Sequence, residues 1–220
     1  MLLGSGKFDI NEKDFSGRSP LSWAAGTGNE FIVKLLIFTE KVDINSKDVN
    51  SRTPFSWAAG EGHDAVIALL LGTGKVEVDT SDRHSGRTPL SLAAGNGHES
   101  VVKRLLDARK VDVNSKDVNG RTPFSWAATH GHVAVVATLL GTGVVEFDSS
   151  DRQTGRTSLS WAAGNGRTAV VEMLLRESKA DVNSRDINGR SPLSWAAGNG
   201  HGAVVKLLVN TDKVNIESRD

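Results

Sequence analysis

The chain has 220 residues, 24% charged and 38% hydrophobic, the composition of a soluble protein that buries a core rather than of a disordered one. Its 26 basic and 26 acidic residues cancel, so it lacks the charge footprint of a protein that grips phosphate backbones, and nucleic acid is not an expected partner. The absence of cysteine removes disulfide scaffolds, thiolate metal sites and cysteine nucleophiles together, and it fits a reducing compartment.

The first residues, Met1 to Lys7, lack the basic segment and apolar run of a signal peptide, and no stretch is apolar for long enough to cross a membrane. No Asn-x-Ser/Thr acceptor occurs. The expectation is an intracellular, cytoplasmic protein, with the nucleus also open to it, and with no membrane partner.

Self-similarity organises everything else. The segment Ser19-Pro20-Leu21-Ser22-Trp23-Ala24-Ala25 returns at Thr53, Thr88, Thr122, Thr157 and Ser191, in steps of 34, 35, 34, 35 and 34 residues. Each copy opens on Ser or Thr followed by Pro, except Thr157-Ser158. The hydroxyl can cap free N–H groups, and proline suits the first helical position, so the pair marks a helix start. In the second copy Phe55, Ala58 and Ala59 fall on one face, with alanines small enough to admit a neighbouring helix closely. Gly60-Glu61-Gly62 then breaks this helix. A second amphipathic helix is predicted over His63 to Leu71, and over His98 to Leu106 in the next copy, where Val101, Val102, Leu105 and Leu106 form its apolar stripe.

A polar or glycine-containing stop follows, then an extended stretch such as Lys110-Val111-Asp112-Val113-Asn114. It leads to Asp117-Val118-Asn119-Gly120-Arg121, whose Asn-Gly pair marks a tight turn between extended arms. One repeat therefore reads as helix, turn, helix and projecting hairpin-like finger. Such a unit cannot bury its own helix pair and must stack on its neighbours.

Thr-Pro-Leu-Ser-Trp-Ala-Ala, then Gly-His, a Leu-Leu pair and Val-Asp-Val-Asn, resembles the ankyrin repeat over nearly the whole chain. The resemblance implies an all-α ankyrin-repeat solenoid, a single domain over 1–220. Its six full repeats lie at approximately 18–51, 52–86, 87–120, 121–155, 156–189 and 190–220, with 1–17 the tail of a preceding repeat and partial repeats at both ends. The family's usual His after Pro-Leu is Ser in every copy, from Ser22 to Ser194, which leaves without a donor the inter-repeat hydrogen bond that His commonly makes. The Ser-Trp wording is similar to ankyrin arrays of filamentous fungi, often the C-terminal sensing part of large NOD-like (STAND) receptors.

Repeats two and four share Pro-Phe-Ser-Trp, a Leu-Leu-Gly-Thr-Gly end and a finger one residue longer, so a two-repeat block of 69 residues is inferred to have been duplicated. Leu2 to Lys7 align with Leu70 to Lys75, the end of an outer helix. Glu217 to Asp220 match the start of a finger, and Val204, Val205, Leu207 and Leu208 of the last repeat are as apolar as any internal copy. The expectation is a fragment of a longer array, monomeric, with end-to-end association open to it through uncapped terminal repeats.

By the resemblance, protein partners bind finger tips and the exposed side of the inner helices, on a concave surface. Carried over by motif position, the candidates are Phe15, Arg18, Val49, Asn50, Arg52, Glu61, Arg83, His84 and Arg87 in the first half. In the second they are Val118, Asn119, Arg121, Thr129, His130, Arg152, Gln153, Arg156, Ile187 and Arg190. Phe15, Glu61, His84, Thr129 and His130 are the distinctive points.

Arginine precedes Ser/Thr-Pro in all six copies, with aspartate four or five residues earlier. This is either a ladder for an acidic partner or, as the balanced charges favour, a set of arginines paired to finger aspartates that cap the turns. The tryptophans 23, 57, 126, 161 and 195 share one repeat position, with Leu92 in the remaining copy. They either line the groove as binding hot spots or pack beneath the fingers, the reading that the leucine supports.

His63, His98, His132 and His201 recur too far apart to converge on one zinc ion, and the Gly-Ser-Gly-Lys and Gly-Thr-Gly-Lys segments lack the residues that follow a phosphate-loop lysine. No metal, cofactor or catalytic residue is expected, because catalysis needs one asymmetric pocket rather than six near-copies of a surface. The function implied is a non-catalytic protein-interaction scaffold, the recognition segment of a larger intracellular protein. A spacer array without a partner and an engineered repeat protein are the alternatives.

Overall fold

The computed structural model describes residues 9–108, 110–177 and 179–211. The sequence features noted at Leu2 to Lys7 and Glu217 to Asp220 lie outside them. The chain divides into two compact units, Met1–Asp112 and Val113–Asp220. The first holds α1 (Pro20–Gly26), α2 (Glu30–Phe38), α3 (Pro54–Glu61), α4 (Asp64–Gly72), α5 (Pro89–Asn96) and α6 (Glu99–Asp107). The second holds α7 (Pro123–His130), α8 (Val133–Leu140), α9 (Ser158–Gly164), α10 (Thr168–Arg176), α11 (Pro192–Gly198) and α12 (Gly202–Val209). Odd-numbered helices are the inner member of each pair, and they stack on one another within their unit, as do the even-numbered outer helices.

Each inner helix starts as its sequence dictates. Ser19, Thr53, Thr88, Thr122, Thr157 and Ser191 sit in extended geometry and accept the N–H three residues on, while proline occupies the first turn of all but α9. Where α9 lacks proline, the buried Ser158 hydroxyl donates to Ser125 Oγ of the preceding repeat at 3.2 Å. The helices α3 and α5 run through the glycine expected to break them. They stop at Gly62 and Gly97, both left-handed at φ 81°, because only there does the backbone need a residue without Cβ.

Outer helices begin one residue later than the sequence pattern indicates, with histidine as N-cap rather than first helical residue. In place of the usual family histidine, these histidines carry an inter-repeat bond. His63, His98 and His201 Nε2 lie 3.1, 3.0 and 3.0 Å from the carbonyls of Gly26, Gly60 and Gly164. Arg167, standing where histidine is missing, donates from Nε to the equivalent carbonyl of Thr129 at 3.2 Å.

The cores are built from one inner-helix position (Leu21, Phe55, Leu90, Phe124, Leu159), the paired alanines and the outer-helix Val/Ile/Leu stripe. Leu106 is only half-buried, since the stripe is narrower than predicted. Each fully buried Phe or Leu contributes about 1.5–3 kcal/mol of transfer free energy, which no isolated helix pair could collect.

The fingers contain no β-strand among the described residues. Their arms are joined by few backbone bonds, such as Asp48 N–H to Arg52 C=O at 3.0 Å, and neighbouring fingers by single ones, such as Val49 N–H to Ser16 C=O at 3.1 Å. From Asn45 onward the finger bases show the two-repeat period, with Asn11 an additional asparagine before it. The amides of Asn11, Asn45 and Asn114 each donate to one carbonyl and accept one N–H of the next repeat. Asp79 and Asp148 occupy the alternate positions and accept the N–H of Asp112 and Asp181.

Most short-finger turns close on a left-handed glycine, Gly17, Gly120 or Gly189, but Ser51 takes that conformation at φ 62°. A left-handed L-residue costs about 1–2 kcal/mol, partly offset by the entropy glycine would lose. Ser51→Gly is therefore expected to raise unfolding free energy by about 0.5–1 kcal/mol, read from the urea midpoint at unchanged m-value.

Candidate functional site: the finger row and its supports

A finger projects because its aspartate folds the turn. In the short fingers one carboxylate oxygen, Oδ1, accepts the N–H two and four residues on: Ser16 and Arg18 for Asp14, Asn50 and Arg52 for Asp48. Asn119 and Arg121 do the same for Asp117, and Asn188 and Arg190 for Asp186, at distances of 2.8–2.9 Å. In the longer fingers Asp82 and Asp151 use both oxygens on Ser85 with Arg87 and on Thr154 with Arg156. A charge-assisted acceptor facing several amides is worth more than a neutral one.

The other duty of Oδ2 is tryptophan. The indole N–H of Trp23, Trp57, Trp126, Trp161 and Trp195 donates to Asp14, Asp48, Asp117, Asp151 and Asp186 at 2.9, 3.1, 3.0, 3.1 and 3.0 Å. The rings thus pack beneath the fingers and fasten each one to its inner helix. All except Trp23, which is 47% exposed, are half-buried.

The expected arginine–aspartate pairing is corrected here. Arg190 does pair with Asp186 at 3.3 Å. For Arg18, Arg52, Arg121 and Arg156 the guanidinium lies against indole faces instead. Arg18 lies 3.6 and 4.0 Å from the ring centres of Trp23 and Trp57, Arg121 3.9 and 4.4 Å from Trp126 and Trp161, and Arg156 3.8 Å from both Trp161 and Trp195. Each of these arginines links its own repeat to the next through cation–π stacking, worth about 0.5–2 kcal/mol per contact. Arg18, Arg87 and Arg156 also donate from Nη2 to the carbonyls of Ser22, Ser91 and Ser160. Burial lowers Arg156 to about 10, opposed by Asp151 and Asp186, so it stays protonated at neutral pH.

Two further corrections concern the candidate surface. Arg156 is only 6% exposed, closed between two indoles. Thr129 is 9% exposed, with its hydroxyl donating to Ser125 C=O and accepting from Arg121. Both are interior supports rather than contact residues, and Arg18, Arg52, Arg87, Arg121 and Arg190 are half-buried supports of the same kind. The side chains that remain exposed are Phe15, Val49, Asn50, Glu61, Arg83 and His84 in the first unit, and Val118, His130, Arg152, Gln153 and Ile187 in the second, with Asn119 half-exposed.

His130 stacks on Trp126 at 5.7 Å and on His132 at 5.9 Å, and its Nδ1 is 2.9 Å from Trp126 C=O. Among the described residues no group of three or more His, Asp or Glu side chains could hold a metal ion, and no helix is long and apolar enough to cross a membrane. The supporting role of the tryptophans across repeats was missed in the sequence, although one signal was present: Arg stands five residues before Trp in every repeat but the third, with Asp four or five residues before Arg.

Asp117→Ala removes an acceptor from two amides and an indole, and is expected to cost about 2–4 kcal/mol by chemical denaturation. Acid should act through aspartates of other fingers. Burial alone would raise Asp82, Asp151 and Asp186, but hydrogen bonds from the finger residues outweigh it and lower all three; the Ser16 hydroxyl leads in holding Asp14 at about 2. Depressed carboxylates stabilise the fold above their unfolded value of about 3.9, and that stability is lost as pH falls through the folded values. Asp79, raised by burial, works in the opposite sense. Urea midpoints are expected to decline steadily from about pH 5 to about pH 2.

The described geometry is matched by known proteins. The family model "Ankyrin repeats (3 copies)" matches residues 1–82, 69–151 and 145–220. No curated protein sequence matches. Among solved structures, the chain is similar to the ankyrin repeat domain of human ASB11, with 29% identity, 92% of this chain and 87% of that one covered, and a TM-score of 0.79. It is also similar to the ankyrin repeat domain of Bcl-3, described as a unique member of the IkappaB protein family, with 27% identity, 90% and 88% covered, and a TM-score of 0.77. The chain belongs to the ankyrin repeat family.

Proposed function

We propose that this chain is a non-catalytic scaffold that holds a protein partner with its finger tips and the exposed ends of its inner helices. Ankyrin repeat domains are generally protein–protein interaction modules, and typically non-catalytic. The observation that carries the reading is the placement of apolar side chains at finger tips: Phe15, Val49, Val118 and Ile187 are each more than half exposed. They sit on turns that the aspartate network holds rigid, so ordering them on binding costs little entropy. Polar neighbours Asn50, Gln153 and Asn188 supply a rim able to hydrogen-bond.

The scaffold is further proposed to be the recognition segment of a larger intracellular protein, with the sensing arrays of fungal NOD-like receptors as the narrower assignment; the Ser-Trp wording of every repeat but the third supports it. A spacer array would have no reason to place a phenylalanine at the tip of a rigid turn.

The test starts from a partner identified by cross-linking and then purified. Phe15→Ser combined with Val49→Ser is expected to weaken its affinity about tenfold or more, by calorimetry, while Lys34→Ser with Lys103→Ser on the outer helices changes it less than about twofold. Equal effects of the two pairs, or none from the finger pair, would remove the proposed surface.

A further inference from the structure

The third repeat departs from the others where its inner helix should carry tryptophan. Leu92 stands there, with its Cβ close to Gly60 of the preceding repeat, as the Cβ of Trp57 is close to Gly26 and that of Trp195 to Gly164. The backbone therefore delivers a side chain to the same place, but leucine reaches only part of the way. Its neighbours have kept the geometry that serves an indole. Arg52 lies over Trp57 with its ring contact at 3.5 Å, while Arg18, Arg121 and Arg156 have a second indole on the next repeat. Asp82 orders its finger turn through Ser85 and Arg87 as Asp151 does through Thr154 and Arg156, yet Asp151 Oδ2 also receives Trp161 Nε1 and Asp82 receives no indole.

What remains is an open cavity of about 400 Å³ lined by Asn50, Arg52, Asp82, His84, Ser85 and Leu92. That volume is within the range of small-ligand sites. The floor is apolar, with Leu92 8% exposed, and Arg52 and the 7% exposed Asp82 line the walls. The rim is made of two finger residues, Asn50 and His84, which also stand among the exposed candidates above.

We infer that this cavity receives a tryptophan side chain from the partner polypeptide, its ring stacked on Arg52 and its indole N–H donated to Asp82. In repeats two, five and six, Trp57, Trp161 and Trp195 satisfy the same pair of groups from within, an arginine of the preceding repeat and the finger aspartate of their own, and the third repeat leaves the place vacant. The chemistry selects among aromatic side chains: phenylalanine would stack but leave Asp82 without its donor, and leucine would do neither. An aromatic anchor entering a pocket that water leaves is the usual source of hot-spot affinity. The inference rests on the scaffold reading for the origin of the tryptophan, but the pocket itself can be probed without any partner.

N-acetyl-tryptophanamide is titrated into the full chain and followed by the Leu92 methyl signals and by saturation transfer to the probe's ring protons. Saturable shifts at Leu92 in the millimolar range are expected, with the 1-methylindole analogue, which has no N–H, about fivefold weaker, and N-acetyl-leucinamide without effect. Leu92→Trp is expected to fill the cavity from within, raising Tm by about 2–4 °C and abolishing saturation transfer. Unsaturable binding, equal affinity of the methylated probe, or unchanged transfer to a folded Leu92→Trp variant would overturn the assignment. Should that variant not fold, the Leu92 methyl shifts and the methylated probe decide alone. A failed titration removes the pocket and leaves the finger-tip reading standing, since that reading is tested separately by Phe15→Ser with Val49→Ser.

Discussion

The structure depends on a carboxylate having two oxygens. At the base of each short finger an aspartate spends one on the amides of its own turn and offers the other to an indole on the following inner helix, and Asp151 of a longer finger also receives its indole. The first interaction gives the finger its shape and the second its direction. Because the indole face is then free to take a guanidinium from the repeat before, the same residue that folds a local loop also governs how modules join. Local turn chemistry and long-range stacking are one network, and removing the aspartate affects both.

That coupling explains how an array with little secondary structure outside its helices can carry rigid recognition elements. A finger that was only a loop would lose entropy on meeting a partner. Fastened through Trp and Arg, it presents side chains such as Phe15 and Val49 already in place. Charge takes little part in this display. Most finger arginines face indoles, and outer-helix and finger-base ion pairs such as Lys103 with Glu99 or Lys116 with Glu146 are exposed pairs of the kind that contribute about 0–1 kcal/mol. The bidentate Arg104–Asp64 contact between outer helices, with both bonds at 2.6 Å, has the better geometry.

Much of this could be read in the amino-acid sequence. The period, the Ser/Thr-Pro helix starts, the alanine faces and the structural histidines follow from local rules that a single repeat obeys, and Arg167 even substitutes for histidine at the same carbonyl. Other features could not be read, because they depend on what lies one repeat away. Thr129 and Arg156 look like surface residues by motif position, and only the packed repeats show that indoles close over Arg156 and that the Arg121 and Arg167 side chains meet Thr129. Leu92 argues in the sequence for a packing role of its tryptophan counterparts. In three dimensions it does so and also leaves a space, a consequence visible only once Arg52 and Asp82 are placed on either side of it.

The alternation at the finger bases bears on how such a protein can change its length. Asn45 joins to the following repeat by giving and taking a hydrogen bond, whereas Asp79 only accepts one. The two kinds of seam are chemically different, and they alternate from Asn45 through Asp79 and Asn114 to Asp148. Within that stretch, gain or loss of a single module would set an asparagine seam where the adjoining residues suit an aspartate, while gain or loss of a pair would restore every junction. Recombination in steps of 69 residues would therefore lengthen or shorten the array without leaving a scar.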